Sequence, residues 1–95
     1  MPVELNHTIV YARDNRESAA FLAGILNLEV GEPWGPFVPV ATANGVTLDF
    51  ATTPAGSIAA QHYAFLVSDA EFDAAFGRIQ HAGLTYWAWP AWPGR

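Results

Sequence analysis

Two histidines and one aspartate are the residues of this chain whose types suit them best to binding a metal ion. His7, Asp49 and His62 each lie in a short run of apolar and polar residues that is typical of a strand. Two imidazoles and one carboxylate form the facial ligand set of non-haem iron(II) and other divalent metals, with positions left open for water or substrate. The three residues therefore form a candidate metal site.

The two histidines occupy matching positions in an internal repeat. When the chain is shifted by fifty-five residues, five of fifteen aligned positions are identical, and they are His7/His62, Asp14/Asp69, Ala19/Ala74, Ala20/Ala75 and Phe21/Phe76. A repeated supersecondary unit determines architecture more firmly than local propensity does. We infer two strand–helix modules, each with a histidine on its first strand, that face each other across a cleft.

Each of the three residues also has a purely structural interpretation. A single histidine on a strand is often a core or rim residue with satisfied hydrogen bonds. Asp49 follows a hairpin turn, where an aspartate can equally face solvent. The matching positions of the two histidines make the ligand interpretation as strong as the structural one, whereas nothing comparable supports Asp49.

The first module is predicted to cover residues 1–52. The pattern predicts a strand over 3–12, a helix that begins after Asp14 and ends near Leu26, a short strand over 28–31, and a hairpin with strands over 37–43 and 46–51. Asn27 is a suitable helix C-cap, and Asn44-Gly45 is a strong two-residue turn.

A linker over residues 53–59 separates this module from a partial second module over residues 60–95. Residues 60–67 read as a strand, Ser68 and Glu71 as a capping box, and residues 84–89 as a final strand. In the helix between these strands, one apolar stripe has the spacing of a single helical face and comprises Phe72, Ala75, Phe76 and Ile79. The fold class is thus α+β, with a curved mixed sheet around a cleft and helices on its outer face.

Composition excludes several classes of partner. The chain has 95 residues, a net charge of −5 and four scattered basic residues, so it has no patch to bind nucleic acid or an anionic membrane surface. It has no cysteine, which excludes disulfides and thiolate ligands and fits a cytoplasmic protein. No signal peptide or membrane-spanning run is visible at the sequence level.

Two aromatic residues are candidate contacts for a small ligand. Trp34 lies on a loop rich in glycine and proline, and Tyr63 is adjacent to His62. Trp34 is suited to a flat or cationic ligand, although aromatic residues also serve as core and interface packing. The alternative for Tyr63 is packing across strands of the sheet.

Three stretches together resemble the vicinal oxygen chelate superfamily, also called the glyoxalase, bleomycin resistance and extradiol dioxygenase group. The first runs from Asn6 through His7 and the following helix to Leu28, the second from Asn44 to Phe50, and the third from Gln61 to Asp69. The resemblance covers about residues 3–89. It implies a βαβββ module followed by a second module that is incomplete in this sequence.

The resemblance also implies which residues bind a metal. The ligands of metal-binding relatives map onto His7, Asp49 and His62, where the relatives often have glutamate at the position of Asp49. The fourth ligand, commonly a glutamate near the C-terminus, has no counterpart in this chain. The ion would be a divalent one such as iron, manganese, zinc or nickel.

Three functional hypotheses follow from the resemblance. The first is a metal-dependent lyase, isomerase or dioxygenase that acts on a small oxygenated molecule. The second is a non-catalytic protein of the bleomycin resistance type that sequesters a small aromatic ligand, and the third is an inactive assembling fragment. Because an unfinished sheet exposes unpaired backbone groups, a homodimer or higher oligomer is expected.

Overall fold

The computed structural model describes residues 2–54 and 56–87 of the chain. Along the chain the elements are β1 (His7–Ala12), α1 (Asn15–Leu26), β2 (Phe37–Ala41), β3 (Thr47–Thr52) and α2 (Asp69–His81). Three strands of mixed direction and two helices confirm the predicted α+β class.

The central strand of the sheet is the last one in sequence, because the strand order is β1-β3-β2. β3 runs parallel to β1, with His7 opposite Thr47 and Ala12 opposite Thr52. It runs antiparallel to β2, its hairpin neighbour. A parallel pair requires a long crossover, and α1 and the residues after it supply that connection.

The core lies between α1 and one face of the sheet. Alternate strand residues point to this face, and the small side chains of Ala19 and Ala23 let the helix approach it closely. The buried cluster comprises Ala19, Ala23, Val38, Val40, Leu48 and Phe50. Helix α1 therefore covers one face of the sheet and leaves the other face open.

The start and end of α1 match the prediction. The Asp14 carboxylate accepts hydrogen bonds from the backbone N–H groups of Arg16 and Glu17, which are 3.0 and 3.1 Å away. These bonds satisfy two of the donors that a helix leaves unpaired in its first turn. Asn27 ends the helix in the left-handed conformation, with φ of 57°, and its N–H bonds to the carbonyl of Ala23.

The turn between β2 and β3 lies where the sequence predicts it, but its form differs. Of Asn44 and Gly45, only the glycine has a positive φ, at 84°. The Gly45 N–H donates to the Thr42 carbonyl, and the Thr42 N–H donates to the Val46 carbonyl. A turn followed by a left-handed glycine needs only one positive φ, which is why Asn44 keeps an ordinary conformation.

The short strand predicted over residues 28–31 is reduced to one bridge, between Val30 and Val40. One hydrogen bond from the Gly31 N–H to the Pro39 carbonyl, 2.8 Å long, holds this segment beside β2. Pro39 has no N–H to return a bond, so the pairing does not extend along its strand.

The second module contributes its helix but none of its predicted strands within the described residues. α2 has the complete capping box of Ser68 and Glu71, and Gly83 follows its C-terminus with φ of 72°. Residues 60–67 and 84–87 are not part of a strand, because a strand requires a neighbouring backbone with which to pair. Residues 88 and 89 of the last predicted strand lie outside the described residues.

Neither α1 nor α2, the two helices of the described residues, is long and apolar enough to cross a membrane.

Candidate functional site

The open face of the sheet carries two of the three predicted metal ligands. In the parallel pairing His7 lies opposite Thr47 and Ile9 lies opposite Asp49. Since alternate residues of a strand share a face, His7, Ile9, Thr47 and Asp49 all lie on the face opposite α1. His7 and Asp49 are therefore diagonal neighbours on adjacent strands.

His7 is exposed on this face, and its neighbour orients its ring. The Nδ1 atom lies 2.7 Å from the Oδ1 atom of Asn6. Because a carbonyl oxygen only accepts, Nδ1 must donate, which leaves the lone pair of a neutral ring on Nε2. An imidazole held in this way presents Nε2 as a ready hydrogen-bond acceptor or ligand.

Asp49 lies in the central strand and is half-buried. Its register neighbours are Ile9 on β1 and Pro39 on β2, so apolar side chains flank the carboxylate on both sides. This arrangement limits access of water from the sides while the carboxylate still faces the open side of the sheet. Asp49 is thus the polar group at the centre of this face.

The third predicted ligand lies on a separate segment. Residues 58–67 run near the outer edge of β1, and His62 is exposed in the middle of this segment. The Tyr63 hydroxyl donates to the carbonyl of Ile9 over 3.4 Å, which links the segment to β1. The pairing of β1 with β3 explains this contact, because the backbone groups of Ile9 point away from β3.

The described residues do not bring the three predicted ligands together. Within residues 2–54 and 56–87, no three side chains of His, Asp or Glu are grouped so as to hold a metal ion. The donor types suit a divalent metal, but His62 is not grouped with His7 and Asp49 in the part of the chain that the structure describes. The ligand set His7, Asp49 and His62 therefore stays a prediction.

A cavity of about 530 Å³ lies where the 53–63 region meets β1. Its lining combines side chains of β1 with polar and apolar side chains from the connection. The lining residues are Ile9, Val10, Tyr11, Thr53, Ser57, Ile58, Ala59, Gln61 and Tyr63. The sequence analysis did not select Thr53, Ser57 or Gln61. The only signal in the sequence was that these residues are polar and lie between the two modules. An ordinary linker has the same features.

The two predicted ligand contacts differ in where they lie. Tyr63 lines the cavity beside β1. Trp34 is 70% exposed and stacks on Phe37, with ring centroids 5.7 Å apart, and it does not line that cavity. Mutual hydrogen bonds between the backbones of Trp34 and Phe37 hold this turn at the far side of the sheet, on β2. The two aromatic residues therefore do not share a site there.

Comparison with known proteins identifies relatives of this chain. No protein-family model matches the chain, and none of the curated proteins matches it. Among solved structures, oxidase ChaP-H2 shares 60% identity with a TM-score of 0.90, covering 95% of this chain and 70% of its own. Oxidase ChaP-H1 shares 55% identity with a TM-score of 0.88, covering 94% and 71%.

A more distant structure shares the fold of this chain. A glyoxalase/bleomycin resistance protein/dioxygenase from Alicyclobacillus acidocaldarius has a TM-score of 0.58 at 15% identity, covering 84% of this chain and 64% of its own. Identity this low shows the fold alone, and that fold is the one predicted from the sequence. The chain therefore belongs to the family of the oxidases ChaP-H1 and ChaP-H2, and its fold is also that of the glyoxalase/bleomycin resistance protein/dioxygenase structure.

Proposed function

We propose that this chain is an oxidase-type or dioxygenase-type member of its superfamily that binds a small oxygenated molecule on the open face of the sheet. The observation that carries the proposal is the 60% identity to an oxidase over nearly the whole chain. The open face supplies a matching site, since His7 and Asp49 lie together on it.

The roles of the two residues follow from their surroundings. Nε2 of His7 accepts a hydrogen bond from a hydroxyl group of the ligand, because Asn6 occupies Nδ1. Asp49 accepts from a second, neighbouring hydroxyl, and its apolar neighbours strengthen that bond by excluding water. Two adjacent acceptors select molecules with two adjacent hydroxyl groups, such as vicinal diphenols.

The metal is a separate part of the proposal. Binding of a divalent ion by His7, Asp49 and His62 requires the 58–67 segment to move, so that His62 comes over the face that carries the other two residues. The ion would supply Lewis acidity toward the ligand oxygens. In the metal-free protein the two acceptors described above bind the diphenol, whereas an ion held by His7 and Asp49 would occupy the same lone pairs.

Oxygen uptake with catechol tests the proposal. Wild-type protein, prepared with each of iron, manganese, zinc and nickel and also without metal, should consume oxygen with catechol in at least one form. His7→Ala should lower the rate about a hundredfold, a typical cost of removing a positioned acid–base group. His81→Ala, at the end of α2, removes the same side chain elsewhere and should leave the rate unchanged. Equal rates in wild type and His7→Ala would overturn the proposal.

A non-catalytic binding protein is the second candidate function. It is supported by the absence of a three-ligand group among the described residues, together with the cavity beside β1. Tight catechol binding by metal-free protein, with no oxygen uptake in any metal-loaded form, would favour this candidate over the first.

We also propose that two copies associate through the outer edge of β1, where the Tyr63 hydroxyl bonds to Ile9 but along which no strand of the described residues pairs. The backbone groups of His7, Ile9 and Tyr11 point away from β3, and large apolar side chains are exposed beside them. An edge of this kind pairs readily with another strand. Light scattering at micromolar concentration should give the mass of a dimer or higher oligomer, and Ile9→Pro should reduce it to that of a monomer. A monomeric wild type would contradict this proposal.

A further inference from the structure

A second, larger cavity lies on the helix side of the sheet. Its volume is about 750 Å³, and three elements border it. The sheet forms its floor with Val10, Leu48 and Phe50, and α1 forms one wall with Phe21 and Leu22. We call this cavity the helix-side groove.

The opposite wall is the extended segment that follows the linker. Gln61, Tyr63 and Phe65 line the groove, whereas His62 and Ala64 between them do not. This alternation is that of an extended chain, in which successive side chains point to opposite sides. The segment thus presents one of its two sides, made of every second side chain, to the groove.

The groove combines a buried floor with exposed walls. Leu48 and Phe50 are only 4% and 3% exposed, so the floor reaches the core of the domain. Phe21 is 49% exposed, Ile58 40% and Phe65 36%, so the walls leave large apolar surfaces in contact with water. An apolar molecule in the groove would remove these surfaces from water, which is favourable at roughly 25 cal/mol per Å².

A few polar residues also line the groove, and they include charges of both signs. Arg13 and Glu17 contribute opposite charges, and Gln61 contributes an amide. Asp14 also lines the groove, but its carboxylate already caps α1. With Asp14 included, the lining carries one positive and two negative charges, which disfavours an anion. The apolar walls disfavour any charged ligand, so the groove favours a neutral one with one or two hydrogen-bonding groups.

We propose that the helix-side groove binds a neutral, largely apolar aromatic molecule, at a site distinct from the face that carries His7 and Asp49. The volume lies within the range of small-molecule sites, about 300–1,000 Å³, and the groove is bordered by three elements while it stays open to solvent. The floor of the groove and the face that carries His7 and Asp49 lie on opposite faces of the sheet. The groove adjoins the cavity beside β1, because Val10, Tyr11, Ile58, Gln61 and Tyr63 line both. This inference does not depend on the oxidase proposal.

The test uses N-phenyl-1-naphthylamine, a neutral aromatic probe that fluoresces when removed from water. Wild-type protein should bind one probe per chain with a saturable signal. Ser18→Phe places a large side chain in the groove and should weaken binding at least tenfold. Ala20→Phe adds the same side chain at an exposed position of α1 outside the groove and should leave binding unchanged.

A second variant covers the case in which Ser18→Phe fails to fold. Phe21→Ser removes an apolar wall at a half-exposed position and should also weaken binding about tenfold. Equal probe affinity in the wild type and in folded Ser18→Phe or Phe21→Ser would overturn the inference, as would unsaturable binding.

Catechol distinguishes this inference from the proposed function. Millimolar catechol should not displace the probe, because it occupies the other face of the sheet. Displacement would show that the two ligands share one site and would overturn the inference. Probe binding without oxygen uptake would support the inference and contradict the oxidase proposal. Oxygen uptake without probe binding would support the oxidase proposal and overturn the inference.

Discussion

Replacing Arg78 with methionine is expected to loosen α2 from the rest of the domain. Among the described elements α2 packs against α1, and none of its side chains is buried. The Nη1 atom of Arg78 donates to the carbonyl of Ile25 over 2.9 Å. That carbonyl belongs to the last turn of α1, which has no basic residue of its own and whose carbonyls lack helical partners.

The size of the effect follows from the exposure of this bond. A hydrogen bond to a charged group contributes about 1.5–3 kcal/mol in general. Arg78 is exposed, so solvent screening reduces this to about 1 kcal/mol. Methionine keeps an unbranched apolar side chain and loses only the donor and the charge. Since RT is about 0.6 kcal/mol, opening of α2 should become about fivefold more frequent.

Hydrogen exchange measured residue by residue is the appropriate assay. Amides of α2, such as that of Phe76, should exchange about fivefold faster in Arg78→Met, while the amide of Val40 in the core should not change. Arg16→Met removes the same charge from an exposed site on α1 and controls for net charge. Uniform acceleration across the domain, or the same acceleration of α2 in Arg16→Met, would refute the reasoning.

Three further changes test the core and the helix caps. Phe50→Ala should lower the free energy of unfolding by about 3–5 kcal/mol in urea titrations, whereas Phe72→Ala, at an exposed position, should cost far less. Asp14→Ala removes two cap bonds and should cost about 1 kcal/mol, measured by thermal unfolding. Hydrogen bonds from the backbone and then the side chain of Ser68 lower the pKa of Glu71 below its ordinary value of 4.5. Their stabilisation of α2 is therefore present above about pH 4.5 and is lost as the pH falls through the lowered pKa, and Glu71→Gln should abolish this pH dependence of helicity in circular dichroism.

Local chemistry accounts for the parts of the fold that could be predicted from the sequence. Asp14, Asn27 and Ser68 act through bonds to backbone groups within a few residues, so their positions alone indicate where the helices begin and end. The hairpin was also predictable, because its strands pair across a short turn. The form of its turn was not, since one positive φ at Gly45 suffices where two were expected.

Non-local pairing explains what could not be predicted. Residues 60–67 have the composition of a strand, but strand formation depends on a neighbouring backbone that the segment itself does not specify. The placement of His7 and Asp49 on one face depends on the register of β1 against β3, which pairs residues far apart in the sequence. The position of His62 depends on how the 58–67 segment lies against β1, and the contact of Tyr63 with Ile9 is one part of that packing.

Metal binding by the purified protein tests the predicted ligand set most directly. Isothermal titration with Mn²⁺, together with elemental analysis of the protein as purified, should give one ion per chain in the wild type. The double variant His7→Ala/His62→Ala should bind none, while His81→Ala should bind as the wild type does. A wild type without metal, or a double variant that still binds one ion, would contradict the assignment of His7, Asp49 and His62 as ligands.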